Sequence, residues 1–253
     1  PDSRMLVCAG RGVRVWDMAD VSFGELYAET RRGSSGHVCF CGGERFFVHG
    51  DGGLRCWDIT TPKKKGAKPA IKPAKCGWGG TRESKDNKQF PLSTVTCTPD
   101  GKTLVATFAV QTIAYDSVHF LFDTKTGKEK GRLHATHYQG HPVSISLSPD
   151  GSLLASNYGS AIAIWSVKEM KEIKRWSSGT KHVQALAFTA SGARLIAANN
   201  TEAVFQWDAK TWKEVRHLEW KKVGKLTNLA VSADGCLIAA GTALGNVVVW
   251  DAD

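Results

Sequence analysis

The 253-residue chain has no apolar run of the roughly 18 to 20 residues that a membrane-spanning helix needs. The nearest candidate, Cys236 to Trp250, is interrupted by Gly241, Gly245 and Asn246. A basic stretch followed by an apolar one, the mark of a signal peptide, is also missing, and the chain opens Pro1-Asp2-Ser3 without an initiator methionine. A piece of a longer protein is therefore expected. Phosphate-binding glycine loops, a G-x-S-x-G elbow, H-E-x-x-H, C-x-x-C and paired histidines at zinc-ligand spacing are all lacking. Neither a metal nor a cofactor is expected.

Excess charge of either sign is scarce outside a single segment. The net charge is +9, and +7 of it lies between Pro62 and Pro91, where nine Lys and Arg face only Glu83 and Asp86. This basic insertion, 62–90, carries Lys63, Lys64, Lys65, Lys68, Lys72 and Lys75 among several prolines. Such a composition repels itself and denies a regular ladder, so the segment is expected to leave the compact body, with an outer edge strand as the sole ordered alternative. Trp78 is the only aromatic residue between Pro62 and Gln89. Without stacking platforms, specific nucleic-acid recognition is not expected.

Seven cysteines form an odd set for a disulfide framework, and a chain of this length does not depend on one. Cys39 and Cys41 fall on one face of a strand and read as buried thiols. A reducing compartment, the cytoplasm, is expected.

What the chain has in abundance is repetition. An aromatic-polar pair recurs at Trp16-Asp17, Trp57-Asp58, Phe122-Asp123, Trp165-Ser166, Trp207-Asp208 and Trp250-Asp251, at intervals of 41, 65, 43, 42 and 43 residues. A second marker appears at Asp100-Gly101, Asp150-Gly151, Ser191-Gly192 and Asp234-Gly235. The long interval resolves into the basic insertion plus one lengthened hairpin. Within each unit four short β-rich runs alternate with turn residues, as in Val183 to Phe188, Arg194 to Ala198, Ala203 to Trp207 and Glu214 to Leu218. Units of about 42 residues cannot fold alone and must bury their faces against one another.

With its Trp-Asp pairs, Gly36-His37, Gly140-His141 and Ser148-Pro149-Asp150-Gly151, the chain resembles the WD40 family of β-propellers over essentially its whole length, in the style of bacterial members. The resemblance implies an all-β propeller of six recognisable units in one domain, 1–253, with about 22 strands. The first and last blades are expected to be incomplete, and a seven-bladed parent stays open. It also implies structural ties within blades, built from a His, a turn Asp, a second-strand hydroxyl and the third-strand Trp. The second unit would supply His37, Asp51 and Trp57, with Phe47 where the hydroxyl should be. The fourth would supply His141, Ser156 and Trp165, with Gly159 where the Asp should be.

Recurrence of His and Asp in several units argues for structure over catalysis, because a catalytic constellation is assembled once. The resemblance therefore implies a non-catalytic scaffold for protein partners. Two alternatives remain: an electrostatic tether to nucleic acid or anionic membrane through the insertion lysines, and an enzyme with a channel active site. Tyr115, Tyr138 and Tyr158, with His137 nearby, are expected to share one rim and to be partly exposed as a docking patch, since loop tyrosines are good interface anchors.

Overall fold

The computed structural model describes residues 5–9, 13–17, 26–28, 35–41, 45–50, 53–60, 70–74, 82–83, 89–90, 92–109, 117–136, 142–179, 182–219, 224–232 and 234–252. Every regular element among them is a β-strand. Two compact units share the chain: Pro1–Ala109 with His119–Arg132, and Val110–Val118 with Leu133–Asp253. The strands form antiparallel meanders of the propeller-blade type.

In the first unit, β1 (Met5–Ala9), β2 (Val13–Asp17) and β3 (Leu26–Ala28) make a three-stranded sheet. Four strands follow in the next: β4 (Ser35–Phe40), β5 (Arg45–Gly50), β6 (Gly53–Thr60) and β7 (Ala70–Pro73). A two-stranded ribbon joins β8 (Arg82–Glu83) to β9 (Gln89–Phe90). Then come β10 (Leu92–Cys97), β11 (Thr103–Ala109), β12 (Ser117–Asp123) and β13 (Glu129–Ala135) in one sheet. The second unit continues with β14 (Ile145–Leu147), β15 (Leu153–Tyr158), β16 (Ala161–Ser166) and β17 (Lys171–Ser177). After them stand β18 (Val183–Phe188), β19 (Arg194–Asn199), β20 (Ala203–Asp208) and β21 (Glu214–Glu219). A three-stranded sheet of β22 (Leu226–Val231), β23 (Leu237–Thr242) and β24 (Val247–Asp251) ends the series.

Among the described residues the structure shows five blades, not the expected six, and β1 to β3 form a further three-stranded sheet. The expected strand count also changes, because β8 and β9 arise inside the basic segment. That segment does not wholly leave the body. Ala70 to Pro73 pairs with β6, Pro73 lying opposite Trp57 and Lys72 opposite Asp58. An outer edge strand loses nothing by a proline whose missing N–H would face away from the sheet, so the basic composition is accommodated at the blade's rim.

Burial follows strand position. All seven residues of β11 are buried and five of six in β15, whereas no residue of the outer strand β17 is. Middle strands therefore read as near-continuous apolar runs and outer strands as mixed Lys, Glu and Arg. Between the blades of β14–β17 and β18–β21 lies a cluster holding Ile162, Ile164, Leu186, Phe205 and Trp207, and the next gap holds Ile196, Val204, Leu226, Ile238 and Trp250. Trp176 of β17 closes the first gap from outside, edge-on to Trp207 at 5.6 Å.

The Asp-Gly markers are tight turns between first and second strands. Gly101, Gly151, Gly192 and Gly235 all take φ near +70°, a conformation open to glycine. Asp150 Oδ1 accepts hydrogen bonds from the Ser148 hydroxyl at 2.5 Å and the Ser152 amide at 3.0 Å, which hold its carboxyl below the ordinary range. Asp100 and Asp234 repeat the arrangement with Thr98 and Ser232.

One expectation about cysteine is corrected here. Cys41 is joined to Cys97 in a disulfide, with Cα atoms 5.4 Å apart. Spacing along the chain could not show this, because the partners belong to different blades. Cys39 keeps its thiol, and burial pushes its pKa up.

Candidate functional site

Of the predicted blade ties, one is found with its expected partners. The Trp165 indole N–H donates to Ser156 Oγ at 2.8 Å, with both side chains buried. Tyr158, two residues beyond Ser156 on β15 and so on the same face, bonds the same hydroxyl. His141 lies outside the described residues. In the second blade Trp57 pairs with Phe46, which makes Val48 the diagonal neighbour where Ser156 stands in the fourth blade; the hydroxyl position is thus Val48, one residue past the predicted Phe47. Neither can accept, and the Trp57 indole N–H has no partner among the described residues. His37 stands opposite His49 and is partly buried, which lowers its pKa; Asp51 lies outside the described residues.

The expected tyrosine patch changes. Tyr158 is 1% exposed, and burial pushes its phenol pKa up. Rather than a loop residue it is the last residue of β15 and pairs with Ala161 across a two-residue turn, so its side chain is buried in the blade. Tyr115, Tyr138 and His137 fall outside the described residues, as do Lys63, Lys64, Lys65, Lys68 and Lys75. Lys72 is exposed on β7.

Several polar groups that sequence reasoning passed over prove to tie the blades. Arg45 grips Asp58 with two bonds of 2.6 and 2.9 Å and donates to the Thr124 carbonyl at 3.2 Å. The Arg45 guanidinium holds the Asp58 carboxyl below its usual range. Arg194 does the corresponding work in the second unit, donating to Gln206 Oε1 and to the Ala252 carbonyl, each at 2.9 Å. Both arginines open the second strand of a blade, and both carbonyls follow the Asp that ends the third strand of the next. A common place in the repeat was the available signal.

Nearer the innermost strands, the Ser144 and Ser146 hydroxyls of one blade accept the Leu186 and Phe188 amides of the next, each at 3.0 Å. Asn157 bridges the same gap, accepting from the Ser144 amide and donating to the Val183 carbonyl. In the third blade, Thr107 and His119 meet at 2.7 Å in full burial, and burial lowers the imidazole pKa to about 3.

A cleft of about 280 Å³ opens beside Arg194, lined also by Thr189, Ser191, Asp234 and Cys236. Its guanidinium is committed to Gln206 and Ala252, and Asp234 to its own turn. Among the described residues no three His, Cys, Asp or Glu side chains converge as a metal site. Among the described residues no helix is long and apolar enough to cross a membrane.

Residues 131–166 and 212–251 match the family model described as "WD domain, G-beta repeat". Over 134 residues the chain is 28% identical to the U3 small nucleolar RNA-associated protein 15 homolog of Xenopus tropicalis, a match covering 52% of this chain and 25% of that protein. Over 151 residues it is 24% identical to the U3 small nucleolar RNA-associated protein 12 of Saccharomyces cerevisiae, covering 58% of this chain and 16% of the relative. The matches thus span a quarter or less of either relative's length. The expected cytoplasmic location is overturned by these relatives, which are named for a small nucleolar RNA.

Proposed function

We propose that this chain, which carries repeats of the WD40 family, is a non-catalytic interaction scaffold within a nucleolar RNA–protein assembly. The observation that carries the reading is where the buried polar chemistry goes. Trp165 and Ser156, Arg45 and Asp58, Arg194 and Gln206, and Thr107 and His119 each fasten strand to strand or blade to blade. Polar groups distributed as repeated fasteners support a rigid platform rather than one reacting centre. The named association of the relatives with U3 small nucleolar RNA supplies the setting.

In this reading the chain is one propeller region, 1–253, with β1 to β3 as its sixth unit. Protein partners dock on the rim loops, with Tyr115, Tyr138 and His137 as the anchors retained from the expected patch. The experiment is affinity purification of the tagged full-length protein from nucleolar extract, probed for U3 small nucleolar RNA and, after nuclease treatment, for co-purifying proteins. RNA enrichment together with nuclease-resistant protein partners is expected. Absence of U3 RNA refutes the setting, and partners lost on nuclease treatment refute the protein-docking role.

A second reading concerns the basic insertion. Its +7 charge and the exposed Lys72 at a blade's outer edge suit an electrostatic contact with RNA phosphates. Replacing Lys63, Lys64, Lys65 and Lys68 by Ala should flatten the salt dependence of RNA retention between about 50 and 200 mM salt. An unchanged slope would remove the tether.

A further inference from the structure

The Cys41–Cys97 bond departs from the repeat in both of its members. Cys41 follows β4, and its amide donates to the Arg45 carbonyl at 2.8 Å. The corresponding amide bond across the same turn is made by Thr98, Ser148, Thr189 and Ser232 in the other blades, so the repeat puts a hydroxyl where this blade has a thiol. Cys97 immediately precedes Thr98, and the residues preceding Ser148, Thr189 and Ser232 are the apolar Leu147, Phe188 and Val231. Two substitutions of different kinds, in two neighbouring blades, bring sulfur to sulfur. The innermost strands β4 and β10 lie side by side, and the two cysteines sit at their ends with Cα atoms 5.4 Å apart, inside the range a disulfide requires.

The bond also encloses the basic segment. The cysteines stand 56 positions apart, and between them the residues of 62–90 are the ones rich in lysine, flanked by β6 on one side and β10 on the other. Joining the two blades at their inner strands closes that segment into a covalent loop. Nuclear compartments keep thiols reduced, and disulfides found there are chiefly transient and redox-sensing.

We propose that Cys41 and Cys97 form a reversible redox staple between adjacent blades, closed by a low-molecular-weight disulfide such as oxidised glutathione. Cys97 is the more exposed of the two, Cys41 being 4% exposed, so its thiolate attacks the small disulfide first. One small thiolate leaves, and a mixed disulfide forms at Cys97. The Cys41 thiolate then attacks the Cys97 sulfur and expels the second small thiolate. Both cysteine thiols have then lost their protons, two electrons have passed to the small disulfide, and two small thiols are the product. Excess reduced glutathione runs the sequence backwards.

The test uses the full chain, equilibrated in glutathione buffers from fully reducing to fully oxidising, then alkylated and mapped by mass spectrometry. Oxidation should remove label from Cys41 and Cys97 alone and produce one cross-linked pair of tryptic peptides, with fragmentation after Phe40 separating Cys41 from Cys39. Reduced glutathione should restore both labels. The melting temperature of the oxidised form should stand higher by roughly 5 °C, and Cys97→Ser should abolish that response. The proposal is overturned if oxidation leaves both labels in place, if Cys41 or Cys97 bonds any other cysteine, or if reduced glutathione fails to reopen the bond. The mapping is done on the unaltered chain, so a variant that fails to fold does not shield the proposal.

Discussion

Replacing Arg194 by Met keeps most of the aliphatic stem and removes the guanidinium that couples β19 to the end of the last blade. Two hydrogen bonds from a charged donor are lost, to Gln206 Oε1 and to the Ala252 carbonyl, both at 2.9 Å. Each such bond contributes about 1.5 to 3 kcal/mol. Gln206 is fully buried, and its amide nitrogen has no partner among the described residues, so Arg194→Met strands the whole carboxamide. Against this, the part-buried guanidinium no longer has to be stripped of water, which offsets part of the loss. A net loss of about 2 to 3 kcal/mol follows, which at a urea dependence of about 2 kcal/mol/M lowers the unfolding midpoint by roughly 1 M.

The decisive comparison is the double variant Arg194→Met with Gln206→Leu. If the single loss comes from an orphaned buried amide, replacing that amide by an apolar side chain of similar size should return about 1 to 2 kcal/mol. Urea unfolding at 25 °C, followed by tryptophan fluorescence because Trp207 and Trp250 flank the site, measures both. An Arg194→Met loss under about 0.5 kcal/mol, or a double variant weaker than the single one, would show that Arg194 is a surface residue and not a blade fastener.

Three further outcomes are expected. Ser146→Ala removes the acceptor of the Phe188 amide and should speed hydrogen exchange at that amide roughly fivefold, the equivalent of about 1 kcal/mol; unchanged exchange would deny the inter-strand bond its role. Met170 and Trp212 hold φ of 53° and 57° at the turn position where the third blade has Gly127, so Met170→Gly should stabilise by about 0.5 kcal/mol, while Trp212→Gly should destabilise by about 1 to 2 kcal/mol through loss of its contact with Trp176 at 5.7 Å, and thermal unfolding that gave both the same sign would contradict this. His119 has a folded pKa lowered to about 3 against about 6.5 unfolded, so only the unfolded chain takes up its proton between those values; stability should decline as pH falls through that window, and His119→Gln should flatten the decline measured by pH-dependent melting.

Much of the blade architecture was legible because its signals are local and repeated. The Asp-Gly turns, the apolar middle strands and the third-strand tryptophans each recur at near-constant spacing, and each is made by residues close in sequence, as in Ser148 with Asp150. Within a strand, however, parity decides everything, and a reading off by one residue changes the face. Counting along the chain puts Phe47 at the hydroxyl position where the ladder puts Val48, and it leaves Tyr158 in a loop where the ladder extends to its pairing with Ala161. Lysine-rich composition admits β7 only as the exception, an outer edge strand, because such a strand needs little apolar surface and its ladder partner lies across a gap that composition does not reveal.

The fasteners between blades were hidden for a different reason. Ser144 meets the Leu186 amide 42 residues away, about one repeat, while Arg194 meets the Ala252 carbonyl 58 residues away and Cys41 meets Cys97 at 56. Periodicity identifies which residues are equivalent, and Arg45 and Arg194 are equivalent in this sense. The arginine and cysteine contacts instead join residues that are not equivalent, a second-strand arginine to a third-strand carbonyl and the turn thiol of one blade to the first-strand thiol of the next. Such pairs leave no mark at the repeat length. They become visible only where a blade departs from its own pattern, which is why the two cysteines, each breaking the rule its position follows elsewhere, were the most informative irregularity in the chain.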